Sequence, residues 1–184
     1  MEIETTASSA ACQAAPAQPA AADRFELVSP APESCYPVIW RLLQEFSHQT
    51  IDTFAPTTLK ECIEKARRDL EAGGRSYAIF KDGIAVGAVW FDAAGDGICL
   101  GHLVFERKAI SGTEKFKATR AAIKFIFADG FRKIAWIFFA DNRAFRVFLK
   151  RLGAKHEGVL RKQWRRNGEL VDAEIMASFP AEVG

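Results

Sequence analysis

One short segment, Lys133–Phe139 (KIAWIFF), constrains the fold more than any other part of the sequence. Within this segment, every residue after Lys133 is apolar, which is typical of a strand that is buried on both faces of a sheet. Apolar residues at helical spacing precede and follow this strand. They are Phe116, Ile123, Ile126 and Phe127 on one side and Phe145, Phe148, Leu149 and Leu152 on the other. The pattern predicts a sheet covered by helices on both faces.

The rest of the chain completes the order β-α-α-β-β-β-α-β-α-β-β. A first strand at 24–29 precedes two helices. Ser34 is expected to cap the first, and Thr58, with Glu61 at capping-box spacing, the second. Further strands are predicted at 76–81, 84–92, 98–105, 155–165 and 169–178, with tight turns at Asp82-Gly83 and Asn167-Gly168. The order predicts a mixed α/β (α+β) domain with a mixed central sheet.

The chain of 184 residues is long enough for one domain and a tail. Residues 1–23 are expected to form a flexible Ala/Pro-rich tail or, alternatively, a docking arm, and 24–184 the domain. The net charge is +2, and all 25 lysines and arginines lie from Arg24 onward. This mildly basic domain suits an anionic cofactor, but its charge is too small to indicate nucleic-acid binding.

The cysteines, Cys12, Cys35, Cys62 and Cys99, do not have the spacing of a metal site, so no metal is expected. Buried free thiols indicate a reducing compartment, and we predict a cytoplasmic protein. No apolar run is long enough to span a bilayer, so no membrane association is expected.

Several short motifs in the last third of the chain resemble the GNAT superfamily of N-acetyltransferases. They are Asn142 at a helix start, Leu152-Gly153 at its end, HEGVLR at 156–161 and RNGELVDAEIMAS at 166–178. The likeness extends over about 24–179, with Ala154 where the family usually has Phe. It implies the acyl-CoA N-acyltransferase fold and direct transfer of an acetyl group from acetyl-CoA to a primary amine. The acceptor would be a protein N-terminus, a Lys or a small amine, and a homodimer is left open.

The acetyl-CoA loop of the family is degraded in this sequence. Its best register runs from Lys108 to Thr113, where only Gly112 remains as a glycine. Such loops are similar to those of GNAT-like proteins encoded by bacteriophages. The alternative hypothesis is therefore a catalytically inactive GNAT-like binding or structural module of the phage-associated kind.

The resemblance implies a cofactor site at two neighbouring places. Free amides at a helix start near Ser111, Gly112, Thr113 and Glu114 would bind the pyrophosphate, with charge from Arg107, Lys108 and Lys115. The main chain of Leu103, Val104 and Phe105 would pair with the pantetheine arm, and the Val104 N–H would polarise the thioester carbonyl. Asn142 would cap its helix and could reach the same arm, with the cap alone as the alternative. The alternative for Ser111 or Thr113 is a helix cap alone.

Two side chains are candidates for the general base that removes the amine proton, His102 and Glu106. The alternatives are a half-buried, hydrogen-bonded histidine and a salt bridge from Glu106 to Arg107 or Lys108. Where many GNAT enzymes have a Tyr that protonates the thiolate, this chain has Leu149. A basic cluster of Arg161, Lys162, Arg165 and Arg166 surrounds Trp164. It is expected to be solvated, with nucleic acid or an acidic partner as alternatives.

Overall fold

A computed structural model describes residues 25–46 and 56–183. Its strands are β1 (Phe25–Val28), β2 (Arg75–Lys81), β3 (Ile84–Ala93), β4 (Ile98–Phe105), β5 (Lys133–Phe139), β6 (Lys155–Arg166) and β7 (Glu169–Ser178). Its helices are α1 (Tyr36–Glu45), α2 (Leu59–Glu71), α3 (Gly112–Ala128) and α4 (Arg143–Arg151). The predicted order of elements is confirmed, and the predicted tail at 1–23 lies outside the described residues. Among the described helices, none is long and apolar enough to cross a membrane.

The strands form one seven-stranded sheet in the order β1-β2-β3-β4-β5-β7-β6. All neighbours are antiparallel except β4 and β5, which run parallel. The predicted mixed sheet is therefore confirmed. Its two tight turns have the expected chemistry, since Asp82, Gly83, Asn167 and Gly168 all have positive φ, as a type I′ turn requires.

The parallel pair is joined only at its beginning. The ladder joins Ile98 to Lys133 and Leu100 to Ala135 at its two ends, with one pair between them. Both strands continue beyond this point, β4 to Phe105 and β5 to Phe139. The sheet is therefore open between the carboxyl ends of β4 and β5.

Each face of the sheet has its own apolar core. On one face, α3 and α4 pack against β2–β5 and β7, with Phe91, Ile123 and Trp136 fully buried. On the other, α1 and α2 pack against the first half of the sheet around Leu42 and Ala88. We call these the α3/α4 face and the α1/α2 face. The predicted covering of both faces is confirmed.

The first two helices begin differently from prediction. Ser34 lies inside a 3-10 turn, Glu33–Cys35, that continues into α1, so its backbone is already helical and it cannot act as the extended cap residue. The Thr58 hydroxyl does accept from the N–H of Glu61, as expected. The Glu61 carboxylate, however, accepts from the N–H and hydroxyl of Thr57, so only half of the predicted capping box forms at Thr58.

Candidate functional site

A cleft of about 770 Å³ begins where β4 and β5 separate and continues to the α1/α2 face. Residues 100–105 of β4 form one wall, and Ile137, Phe138 and the start of α4 at Asn142 form the opposite one. Side chains of α1 and α2 close the end on the α1/α2 face. The cleft thus connects the opened sheet edge with a region that an amine could enter from the other face.

A glycine and a tryptophan lie directly after the last β4–β5 pair. A Cβ atom on Gly101 would be 2.5–2.7 Å from three ring atoms of Trp136, which is closer than atoms in contact can be. The indole is fully buried, and its N–H donates to the Ser178 hydroxyl at 3.1 Å. The ring therefore occupies the position of any side chain at residue 101, at the point where the two strands part.

The open edge of β4 presents different backbone groups from those predicted. The N–H of Glu106 donates to the carbonyl of Val86 on β3 at 2.8 Å. Because antiparallel pairs alternate along the ladder, the polar groups of Val104 also point to β3, opposite Ala88. The prediction that the Val104 N–H faces the thioester is thus wrong. The main-chain groups of Leu103 and Phe105 point toward β5 and the cleft.

The start of α3 is a complete capping box. The Ser111 hydroxyl accepts from the N–H of Glu114 at 3.2 Å, and the Glu114 carboxylate accepts from the N–H of Ser111 at 2.7 Å. These two amides are therefore not the predicted phosphate donors. The amides of Gly112 and Thr113 take no part in the box, and both residues are exposed at the helix start.

Glu114 is turned away from the position of a phosphate. Its carboxylate is buried and lies 2.7 Å from the Lys81 ammonium. The hydrogen bond from Lys81, followed by those from Ser111, lowers the pKa of Glu114 to about 2. Its negative charge is therefore neutralised by Lys81 and does not repel an anion at the helix start.

Two cations line the cleft near the same helix start. The Arg107 guanidinium lies 4.8 Å from the ring centroid of Phe46, and the Lys115 ammonium lies 5.9 Å from that of Phe105. Burial, and then the charge of Arg107, lowers the pKa of Lys115. Neither cation has an acidic ion-pair partner within 4.0 Å among residues 25–46 and 56–183. Lys108 is exposed and does not line the cleft.

The predicted base His102 lies on the α1/α2 face, in the cleft wall. Its ring stacks on Trp90 with 5.2 Å between centroids, and its Nε2 is 3.1 Å from Oδ2 of Asp92. The Lys65 ammonium is 3.6 Å from the same oxygen and 2.6 Å from Asp69. These four charged or ionisable side chains form a chain that we call the His102 cluster (Lys65, Asp69, Asp92 and His102).

Asp92 is the anionic centre of this cluster. Burial alone would raise its pKa, but the hydrogen bond and charge of His102 and the charge of Lys65 outweigh burial, and the pKa of Asp92 is lowered. Asp92 is thus held ionised beside the imidazole. A carboxylate in this position orients the imidazole ring.

The other predicted base, Glu106, is engaged elsewhere. Its carboxylate accepts from the Arg41 guanidinium at 2.7 Å and from the N–H of Arg107 at 3.1 Å. The Arg41 hydrogen bond in particular lowers the pKa of Glu106, so this carboxylate is a weak proton acceptor. The expected side-chain partners were Arg107 or Lys108, whereas the structure gives Arg41. Of the two candidates, the geometry favours His102.

The remaining predicted positions lie in or near the cleft. Asn142 caps α4, since its Oδ1 accepts a hydrogen bond from the N–H of Phe145 at 3.1 Å. Asn142 also lines the cleft. Leu149 is fully buried in the α3/α4 core. In the basic cluster, Arg166 pairs with Asp141 and lies over the ring of Phe139, while Arg161, Lys162 and Arg165 are exposed.

No known protein-family model matches this chain, and no curated protein matches it either. Among solved structures, in contrast, several N-acetyltransferases have folds similar to that of this chain. Spermidine N-acetyltransferase from Vibrio cholerae, solved with CoA and spermine, is 13% identical with a TM-score of 0.76, over 86% of this chain and 97% of that one.

Two protein acetyltransferases are similar to the same degree. Ribosomal-protein-alanine N-acetyltransferase from Brucella melitensis is 13% identical with a TM-score of 0.73, over 84% of this chain and 99% of that chain. RimL, a ribosomal alpha-N-protein acetyltransferase solved with coenzyme A, is 18% identical with a TM-score of 0.72, over 84% and 93%. The chain therefore has the fold of the GNAT N-acetyltransferases, as its sequence motifs predicted.

Proposed function

We propose that this chain, built on the GNAT fold, transfers the acetyl group of acetyl-CoA to a primary amine. The observation that carries the proposal is the cleft at the unpaired ends of β4 and β5. It has two cations without acidic ion-pair partners among the described residues at its α3 end, and the His102 cluster on its α1/α2 side. An anionic thioester cofactor and an amine acceptor need these two environments, one on each side of the reacting carbon.

The hydrogen-bond donors and cations at the α3 end of the cleft suit acetyl-CoA. The amides of Gly112 and Thr113 and the charges of Arg107 and Lys115 would bind the pyrophosphate. The main chain of Leu103 and Phe105 would pair with the pantetheine arm as an added strand. An amide on this edge would polarise the thioester carbonyl, and it would come from Leu103 or Phe105 rather than from Val104.

In the second environment, His102 would act as the general base. An acceptor ammonium must lose a proton before its nitrogen can attack, and the imidazole would accept that proton, directly or through water. Asp92 would act as the positioning residue for the ring. The nitrogen then forms a bond to the carbonyl carbon and the carbon–sulfur bond breaks. The proton that the nitrogen loses as the amide forms is transferred to the CoA thiolate, which leaves as the thiol. No covalent intermediate with the enzyme is involved.

The acceptor class is proposed as a primary amine on a protein or a small molecule, and the location as cytoplasmic. The similar structures include acetyltransferases whose names give ribosomal proteins and spermidine as acceptors. Two observations favour the second candidate, an inactive binding module. Ser111 and Glu114 use two helix-start amides for each other, and Leu149 replaces the thiolate's proton donor.

Calorimetric titration of the protein with acetyl-CoA separates these two candidates. At ten times its Kd, a specific ligand would also stabilise the folded state by roughly 1.4 kcal/mol. Gly112→Glu should abolish binding through charge repulsion, whereas Gly112→Ala should retain it. Neither change should disturb folding, since a Cβ at Gly112 would meet no atom within 4 Å. No binding at millimolar acetyl-CoA would exclude the enzyme and favour the binding module.

A further inference from the structure

The charges on the acceptor side of the cleft nearly cancel. Lys65 contributes one positive charge, and Asp69 and Asp92 one negative charge each. The described side chains of the His102 cluster thus include two carboxylates and one ammonium, with the imidazole of His102 beside Asp92. Arg75, which also lines the cleft, is paired with Asp129 at 2.8 Å. The described wall therefore offers electrostatic compensation for one ammonium group.

Among the described residues the rest of this side of the cleft is mostly apolar, although Tyr36 also lines it and the Arg107 guanidinium lies over its Phe46 ring. It is formed by side chains from α1, α2 and the sheet: Ile39, Leu43, Phe46, Ala66, Leu70 and Trp90. A second ammonium on the same acceptor would lie against these groups and lose its hydration without gaining a carboxylate. Burying an unpaired charge is among the most unfavourable events in protein recognition. A methylene chain or an aromatic ring, in contrast, gains by leaving water.

From this arrangement we infer that the acceptor is a small primary monoamine with an apolar body, and that diamines and polyamines are discriminated against. The inference rests on the proposed acetyl transfer and specifies its substrate class. The ammonium approaches Asp92 and His102, and the apolar body lies between α1, α2 and Trp90. A peptide N-terminus with neighbouring cationic side chains is disfavoured for the same reason.

A matched pair of amines tests this. Hexylamine and 1,5-diaminopentane have the same length, and differ in ending with a methyl or a second ammonium. We expect kcat/KM for acetylation of hexylamine to exceed that of 1,5-diaminopentane at least tenfold, and 2-phenylethylamine to be accepted as well. Equal or better acetylation of the diamine would overturn the inference. So would better acetylation of a Lys-containing peptide than of hexylamine.

A pair of variants places the selectivity in the cleft wall. Ala66 is half-buried on α2 and lines the cleft. Ala66→Asp adds a carboxylate there and should reduce the preference for hexylamine over 1,5-diaminopentane about tenfold. Ala66→Asn adds a side chain of nearly the same size as Asp but without the charge, and should leave that preference unchanged. An equal effect of both variants would contradict the assignment of selectivity to charge at this wall.

Binding measured without turnover separates this inference from the proposed function. Calorimetry of each amine with the wild-type protein needs no acetyl transfer. If acetyl-CoA neither binds nor reacts but hexylamine still binds at least tenfold more tightly than 1,5-diaminopentane, the proposed function fails and the inferred ligand class stands. If acetyl-CoA reacts and the diamine is the better acceptor, the function stands and the inference fails.

Discussion

The two ends of the cleft treat charge in opposite ways. At the α3 end, Arg107 and Lys115 lie close together without acidic ion-pair partners within 4.0 Å among the described residues. On the α1/α2 side, the cation Lys65 is joined to two carboxylates, and Asp92 is joined in turn to His102. One end has an excess of positive charge, and the other has charges of both signs that are paired with each other.

This difference indicates what each end is built to hold. Burial is the main cause of the lowered pKa of Lys115, and the like charge of Arg107 adds a smaller electrostatic cost. A bound anion would remove it. The paired charges of the His102 cluster need no such ligand, so they can hold an imidazole in place and leave the surrounding wall apolar. Charge pairing, more than residue type, would then distinguish the proposed phosphate site from the proposed acceptor site.

The largest effect is expected at Gly101, which lies between the two ends. Gly101→Val would collide with the buried Trp136 ring and should lower the free energy of unfolding by about 3 kcal/mol, the upper range for an overpacked core. Denaturant unfolding measures this change. Gly158→Val is the matched control, because a Cβ at Gly158 in β6 meets no atom within 4 Å. Equal stability of both variants would show that the indole can move away.

Removing the proposed base should have the next largest effect. His102→Gln keeps a polar side chain beside Asp92 but cannot accept the proton, so kcat should fall about 100-fold, the lower range for loss of a general base. His156→Gln is the control, since His156 is exposed on β6. Steady-state acetylation of hexylamine measures both. An unchanged kcat in the first variant would remove His102 from the mechanism.

The sequence predicted the fold well because the signals for it are local. The apolar run of β5, the Asn167-Gly168 turn and the Asn142 cap each depend on residues close together in the chain, and the structure confirms them. Residues far apart are different. Asp92 meets His102 only through the pairing of β3 with β4, and a register assignment for that hairpin would have been needed to find it.

The same limit explains the errors at the site. The direction of the Val104 amide depends on the register of the β3–β4 pairing. A shift of that register by one residue would turn the amide to the other side of the strand. Glu106 was predicted as a base, with a salt bridge to Arg107 or Lys108 as the alternative, but α1 brings Arg41 to it across 65 positions. Gly101 carries no sequence signal of its own, since its role depends on Trp136.

A third prediction sharpens the contrast in charge. Lys115→Ala should weaken CoA binding about tenfold, because a charge-assisted hydrogen bond to phosphate is worth roughly 1.5 kcal/mol or more. Lys124→Ala, on an exposed position of the same helix, should not. Calorimetry at two salt concentrations measures both, and the wild type should lose more affinity with salt than the Lys115 variant. Equal affinities would place the phosphate elsewhere.

The smallest effect is expected at Glu114, which keeps a negative charge away from the α3 end. Because its folded pKa of about 2 lies below the ordinary value of 4.5, its charge contributes stability that is present above the unfolded pKa. That contribution is lost as pH falls toward 2. The wild type should therefore unfold at a higher temperature than Glu114→Gln at neutral pH, and the gap should close between pH 4.5 and 2.

Glutamine retains the oxygen that accepts from the Ser111 N–H, so only the charge pair with Lys81 is tested. A gap that is independent of pH would mean that the pair with Lys81 adds nothing, and that the capping box alone directs this side chain away from the cleft.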